Sequence, residues 1–123
     1  MKLRMLLVGL LVASAGSLGA DARLSMKVSP AVAFAPANLT MRATVVPDSR
    51  NRTLQIIAES DGYYRSSEVQ LDGERAPRTT LMYFRSVPGG VYQVRATLKG
   101  EGGQELAFAQ YDVNIVESGV ALR

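Results

Sequence analysis

At 123 residues, 47% of them hydrophobic and 20% charged, the chain has the size and composition of one globular domain. It contains no histidine and no cysteine, which excludes Ser-His and Cys-His nucleophile pairs, an imidazole base near neutral pH, the usual zinc and copper ligand sets, disulfides and lipid attachment through a thiol. The formal charge of +3 is dispersed: arginines at 42, 50, 52, 65, 75, 78, 85 and 95 are interspersed with Glu59, Asp61, Glu68, Asp72 and Glu74, which predicts solvated surface charge and no nucleic-acid partner.

Residues 1–22 carry the marks of a signal peptide. Lys2 and Arg4 form a basic n-region, Met5 to Ala15 is an uncharged apolar run, and Ala20-Asp21-Ala22 places small residues at the two positions a signal peptidase reads. Ala13-Ser14-Ala15 is a competing cleavage site. The apolar run falls short of the ~20 residues of a membrane span, and Gly16, Ser17 and Gly19 dilute its end, so membrane contact is expected only during export. The processed domain must then stand on its hydrophobic core alone.

From there the chain reads as a series of short strands. Leu24, Met26 and Val28 alternate with polar residues and stop at Pro30. Ala31 to Ala37 is apolar but carries Pro36; it is expected to run along the side of the domain with Phe34 turned inward. Leu39, Met41, Ala43 and Val45 give a second alternating strand, broken at Pro47-Asp48-Ser49-Arg50-Asn51. Leu54, Ile56 and Ala58 predict the inner face of a third, ended by Ser60-Asp61-Gly62. Tyr63 to Ser67 reads as a loop leading into a short fourth strand around Val69 and Leu71, closed at Asp72-Gly73.

The segment from Thr79 to Gly100 is the most strongly patterned. Thr80, Met82 and Phe84 are expected to face in, which turns Leu81, Tyr83 and Arg85 out; Tyr92, Val94, Ala96 and Leu98 form the inner face of the following strand. Between them Pro88 fixes φ and Gly89 and Gly90 can take positive φ, so the chain can turn a tight corner. Tyr92 is either ordinary core or a ring whose hydroxyl reaches back to the corner's backbone. Gly100 to Gly103 is a hairpin loop, and a last strand runs from about Leu106 to Val116 with Tyr111, Val113 and Ile115 inward and a bulge near Leu106 and Phe108. Residues 118–123 have no pairing pattern and are expected to fray.

The order strand, Val87-Pro88-Gly89-Gly90, then Tyr92-x-Val94-x-Ala96 resembles the corner between strands E and F of immunoglobulin-like and fibronectin type III-like domains of bacterial extracytoplasmic proteins. As a strand pattern the resemblance covers most of residues 24–117; its most specific part is Val87 to Ala96. It implies an architecture. Domains of this kind serve as spacers, adhesins, carbohydrate-binding or assembly modules, and no shared functional residues come with the fold.

Carboxylates are the remaining catalytic material. Glu59 with Asp61, and Asp72 with Glu74, each lie two apart near strand ends. A glycosidase needs two carboxyls facing across a cleft ~5 to 9.5 Å apart, and a small sandwich without long loops offers little wall for one, so turn-forming acids are the favoured reading. Asp61-Gly62 and Asp72-Gly73-Glu74 also suggest calcium loops, but the regularly spaced oxygen ligands are missing.

Two surfaces are candidates for binding. Tyr63, Tyr64 and Arg65 place aromatic rings beside a guanidinium in an expected loop, material for sugar stacking or a protein contact; alternatively Tyr64 caps the end of the sandwich and Tyr63 is incidental. Leu81, Tyr83 and Arg85 would form an apolar patch for a partner or a second copy if nothing covers them. Asn38-Leu39-Thr40 and Asn51-Arg52-Thr53 match the N-glycosylation acceptor pattern, with Asn51 expected to be the more accessible.

The sequence thus predicts an all-β protein: an immunoglobulin-like antiparallel β-sandwich of about seven strands over residues 23–117, preceded by a signal-peptide helix. The expected function is a non-catalytic binding or structural module, periplasmic or secreted, with no cofactor, an envelope protein or glycan as partner, and a monomeric or weakly dimeric state. Two alternatives stay open: a subunit of an envelope assembly that pairs through a sheet edge or the Tyr83 face, and a carboxylate-dependent hydrolase.

Overall fold

Alternating apolar residues can bury one face of a strand only if a second layer covers it, and two such layers make a sandwich. A computed structural model of the protein describes residues 23–117 and has this form. The predicted signal peptide at 1–22 and the tail at 118–123 lie outside the described residues. Strands β1 (Leu24–Ser29), β3 (Ala37–Val45) and β6 (Thr79–Val87) form a three-stranded sheet in the order β1-β3-β6. The second sheet has the order β2-β8-β7-β4-β5, built from β2 (Val32–Phe34), β4 (Thr53–Ser60), β5 (Tyr63–Gln70), β7 (Gly90–Lys99) and β8 (Glu105–Val116). All pairs are antiparallel except β2 with β8.

The core lies between the sheets. Leu24, Met41 and Phe84 come from the smaller sheet; Leu54, Ile56, Val94 and Ile115 from the larger, all essentially inaccessible. Each such aliphatic or aromatic side chain contributes roughly 1.5–3 kcal/mol on burial, and with no disulfide this apolar layer is what holds the sheets face to face.

The corner between β6 and β7 is fastened from inside. Tyr92 is buried, and its hydroxyl donates a 2.8 Å hydrogen bond to the Pro88 carbonyl, so the ring is core and also ties down the turn. A Cβ on Gly90 would lie 3.2 Å from both the Tyr92 ring and the Ser60 hydroxyl, which is why the chain is stripped to glycine there. Of the two glycines Gly90 takes positive φ (156) and Gly89 does not, and Ser86 is a further positive-φ residue at this corner (φ 57). Ser86 sits in a bulge where β6 has one residue more than β3, and its N–H donates to the Asn38 carboxamide oxygen at 3.0 Å.

Several expectations are corrected. Phe34 does not turn inward: it is 65% exposed, because Val32–Phe34 pairs in parallel with Asn114–Val116 as an outer edge strand. Tyr63 and Tyr64 are not in a loop, since Asp61 and Gly62 make a two-residue hairpin and β5 begins at Tyr63. Asn51 is 1% exposed, with its Nδ2 donating to the Val46 carbonyl at 3.0 Å, while Asn38 is the exposed member of the acceptor pair. The bulge expected near Leu106 is present: the register of β8 shifts at Leu106, which is half-buried, and Phe108 faces out.

Candidate functional site

Strand parity separates the predicted binding residues. Tyr63 faces the interior and meets Tyr92 edge-on, with ring centroids 5.8 Å apart at 79°. Tyr64, one residue later, points outward on the five-stranded sheet and is 60% exposed. Tyr64 therefore does not cap the sandwich end, Tyr63 is the ring that packs inward, and the two cannot clasp one ligand together. Arg65 returns to the inner side and spans the open flank between β5 and β6: its guanidinium lies 5.0 Å from the Phe84 ring centroid and donates a 2.9 Å hydrogen bond to the Arg85 carbonyl. It therefore holds the edge of β6 rather than presenting a free charge.

The second group stays together. Leu81, Tyr83 and Arg85 alternate outward along β6, and Leu81 and Tyr83 are 43% and 53% exposed. Register adds neighbours that sequence reasoning did not assemble. Arg42 on β3 lies opposite Leu81, Thr40 opposite Tyr83, and Lys27 on β1 opposite Arg42, all on the outer face. The alternation in β1 and β3 did place Lys27 and Arg42 outward; only the pairing of the strands shows that they adjoin Leu81 and Tyr83.

The acidic candidates fall in two separate places. Glu59 and Asp61 line a shallow, open depression with Asp112, Gln93 and Tyr92, while Asp72 and Glu74 flank the 3-10 turn Gly73–Arg75 at the surface. Among the described residues no group of three His, Cys, Asp or Glu is placed to hold a metal ion. Among the described residues the carboxylate most perturbed electrostatically is Asp48, held well below the usual range chiefly by side-chain hydrogen bonds from Arg50 at 2.8 and 3.1 Å, with Arg23 at 3.2 Å from the same Oδ2. This trio ties the start of β1 to the β3–β4 turn. Burial pushes the Tyr92 phenol up, as its position inside the corner requires.

No helix among the described residues is long and apolar enough to cross a membrane. No protein-family model matches the chain, and no curated protein matches it. Solved structures do. The chain is similar to the PKD domain of an M14-like peptidase from a Thermoplasmatales archaeon, with 15% identity over 76% of this chain and 96% of that one and a TM-score of 0.51. The human F-spondin reeler domain matches with 10% identity over 76% and 89% of the two chains and a TM-score of 0.51. A superoxide reductase (neelaredoxin) from Ignicoccus hospitalis matches with 12% identity over 74% and 80% and a TM-score of 0.50. Enzymes and non-enzymatic domains thus share this framework, and at such identities the likeness concerns architecture. The chain is an all-β sandwich of the immunoglobulin-like kind.

Proposed function

We propose that the protein is an exported, non-catalytic binding module of the cell envelope, periplasmic or secreted, whose working surface is the outer face of the three-stranded sheet around Tyr83. One observation carries this reading. Leu81 and Tyr83 stand side by side on a broad sheet face over which no described segment packs. Exposed aromatic area beside guanidinium groups is the material of recognition surfaces. The basic n-region, the apolar run and the Ala-x-Ala site at the N-terminus support export. The absence of His and Cys from the sequence, with acids strung along open surface, supports binding over catalysis.

The test is retention of the processed protein on isolated envelope fractions. Wild type is expected to remain bound and the Leu81→Ser, Tyr83→Ala double variant to wash off with an unchanged thermal midpoint. Equal retention of the two would refute the assignment.

A specific feature favours a second reading, assembly through a sheet edge. Val32, Phe34, Val91 and Val116 are all exposed and cluster where β2, β8 and β7 meet, at the free edge of the larger sheet. Sedimentation at high concentration decides it: a dimer abolished by Phe34→Ser supports assembly through this edge, and a monomer throughout removes pairing between copies.

A further inference from the structure

On the three-stranded sheet, Lys27 and Arg42 are direct cross-strand partners on the same exposed face. Like charges directly opposite one another repel, and a carboxylate at either position would relieve the pair. None is present: every other outward position on these two strands is Ser, Thr or Asn, and those on β6 are Thr79, Leu81, Tyr83 and Arg85. None of Lys27, Arg42 and Arg85 has an ion pair among the described residues, although Arg23, Arg50 and Arg95 elsewhere do. Among the described residues the face is thus an acid-free field of three cations: Lys27 and Arg42 stand in one row, and Arg85 lies about 13 Å further along β6, with the exposed Tyr83 ring between them.

We infer that this face binds an acidic polysaccharide, a sugar chain bearing carboxylate or sulfate groups, laid across β1, β3 and β6. The inference rests on the reading of this face as the working surface and names its ligand. The acid groups meet Lys27, Arg42 and Arg85 and lift the repulsion built into the sheet. The Tyr83 ring, diagonal to Arg42, supplies a flat apolar surface for the carbon-hydrogen face of a pyranose, and the flanking Ser and Thr hydroxyls match a ligand rich in hydroxyl groups. A protein partner fits less well: the apolar part is only Leu81 and Tyr83, little for the desolvated centre that a protein interface needs.

The test uses affinity electrophoresis of the processed protein in gels containing polygalacturonate, dextran sulfate, neutral dextran or polyglutamate. Polygalacturonate, dextran sulfate or both are expected to retard the wild type, and whichever does so identifies the acid group. Lys27→Gln with Arg42→Gln is expected to weaken that binding by about tenfold, the equivalent of roughly 1.4 kcal/mol. Tyr83→Ala is expected to weaken binding to the sugar polymer and to leave any weak retardation by polyglutamate unchanged. No retardation by either acidic glycan, equal retardation by neutral dextran, or sugar binding indifferent to Tyr83 would overturn the inference. Envelope retention that depends on Tyr83 without glycan binding would remove the inference and leave the broader reading; intact envelope retention in the Leu81→Ser, Tyr83→Ala double variant would remove both.

Discussion

On the outer face of the five-stranded sheet, the Arg95 guanidinium lies 4.1 Å from the Phe108 ring centroid and 3.5 Å from a Glu105 oxygen, and Glu59, Glu68 and Asp112 share the surface with it. On the outer face of the three-stranded sheet, Lys27 and Arg42 oppose each other, Arg85 adds a third cation, and no acid among the described residues answers them. Both faces are made by the same alternation that buries the core, so packing does not explain the contrast. Inner positions answer to close packing with the other sheet. Outer positions answer to solvent and to each other, and one face carries both signs of charge and pairs Arg95 with Glu105, while the described residues of the other carry cations alone.

The largest expected effect tests the support the two faces share. Tyr92→Ala removes a buried ring and the corner hydrogen bond and should destabilise the domain by ~3–5 kcal/mol in urea denaturation, taking both faces with it. Tyr92→Phe isolates the hydroxyl and should cost about 0.5–1.5 kcal/mol, with binding retained below the melting temperature. A Tyr92→Phe domain as stable as wild type would show that the corner is held by burial alone.

Next in size is the link between the faces. Arg65→Ala loses the bond to the Arg85 carbonyl and the contact over Phe84, and is expected to lower stability by about 1 kcal/mol. Hydrogen exchange should rise along β6 more than along β7; a uniform rise would mean that Arg65 does not guard that edge.

Single charge removals on the two faces should then differ in sign. Lys27→Gln relieves a like-charge pair and is expected to raise stability by ~0.2–1 kcal/mol, whereas Arg95→Gln, which loses its stacking on Phe108 and its contact with Glu105, should lower it by a similar amount. Thermal melts at low and high salt check both, since screening should shrink the Lys27 effect. Two changes of the same sign would break the comparison.

The smallest effect belongs to neither face and calibrates the electrostatics. Asp48 has a folded-state pKa below its unfolded value, so it binds its proton more readily when unfolded. Its contribution is present above the unfolded value of about 3.9 and is lost as pH falls below it toward the folded one. The stability gap between wild type and Asp48→Asn should therefore close between about pH 4 and the onset of acid unfolding. A gap that persists undiminished would contradict the Arg50 pairing.

Much of this was legible one strand at a time. Leu24-Met26-Val28, Leu39 to Val45 and Tyr92 to Leu98 each display their buried face in the order of residues, because a strand's period of two is local. Phe34 misled for a local reason as well: an apolar residue between two prolines reads as core, and only pairing with β8 at the outer edge exposes it. Asn51 misled in the opposite direction. A polar residue in a turn reads as solvated, but its carboxamide folds under to bond the Val46 carbonyl, a partner chosen by the path of the loop.

The order of residues by itself determined that this is an all-β domain of short alternating strands, which side of most strands is greasy, and that thiol and imidazole chemistry is absent. Those properties are local or compositional, and no folding is needed to read them. The tertiary structure alone decided which strands are neighbours and in what register. That brought Lys27, Arg42, Leu81 and Tyr83 onto one surface from three separated segments, and it split Tyr63 from Tyr64 across the two sides of a single strand. The physical reason is that cross-strand adjacency is set by how two sheets bury their inner faces together, an energy summed over the whole core and carried by no single segment.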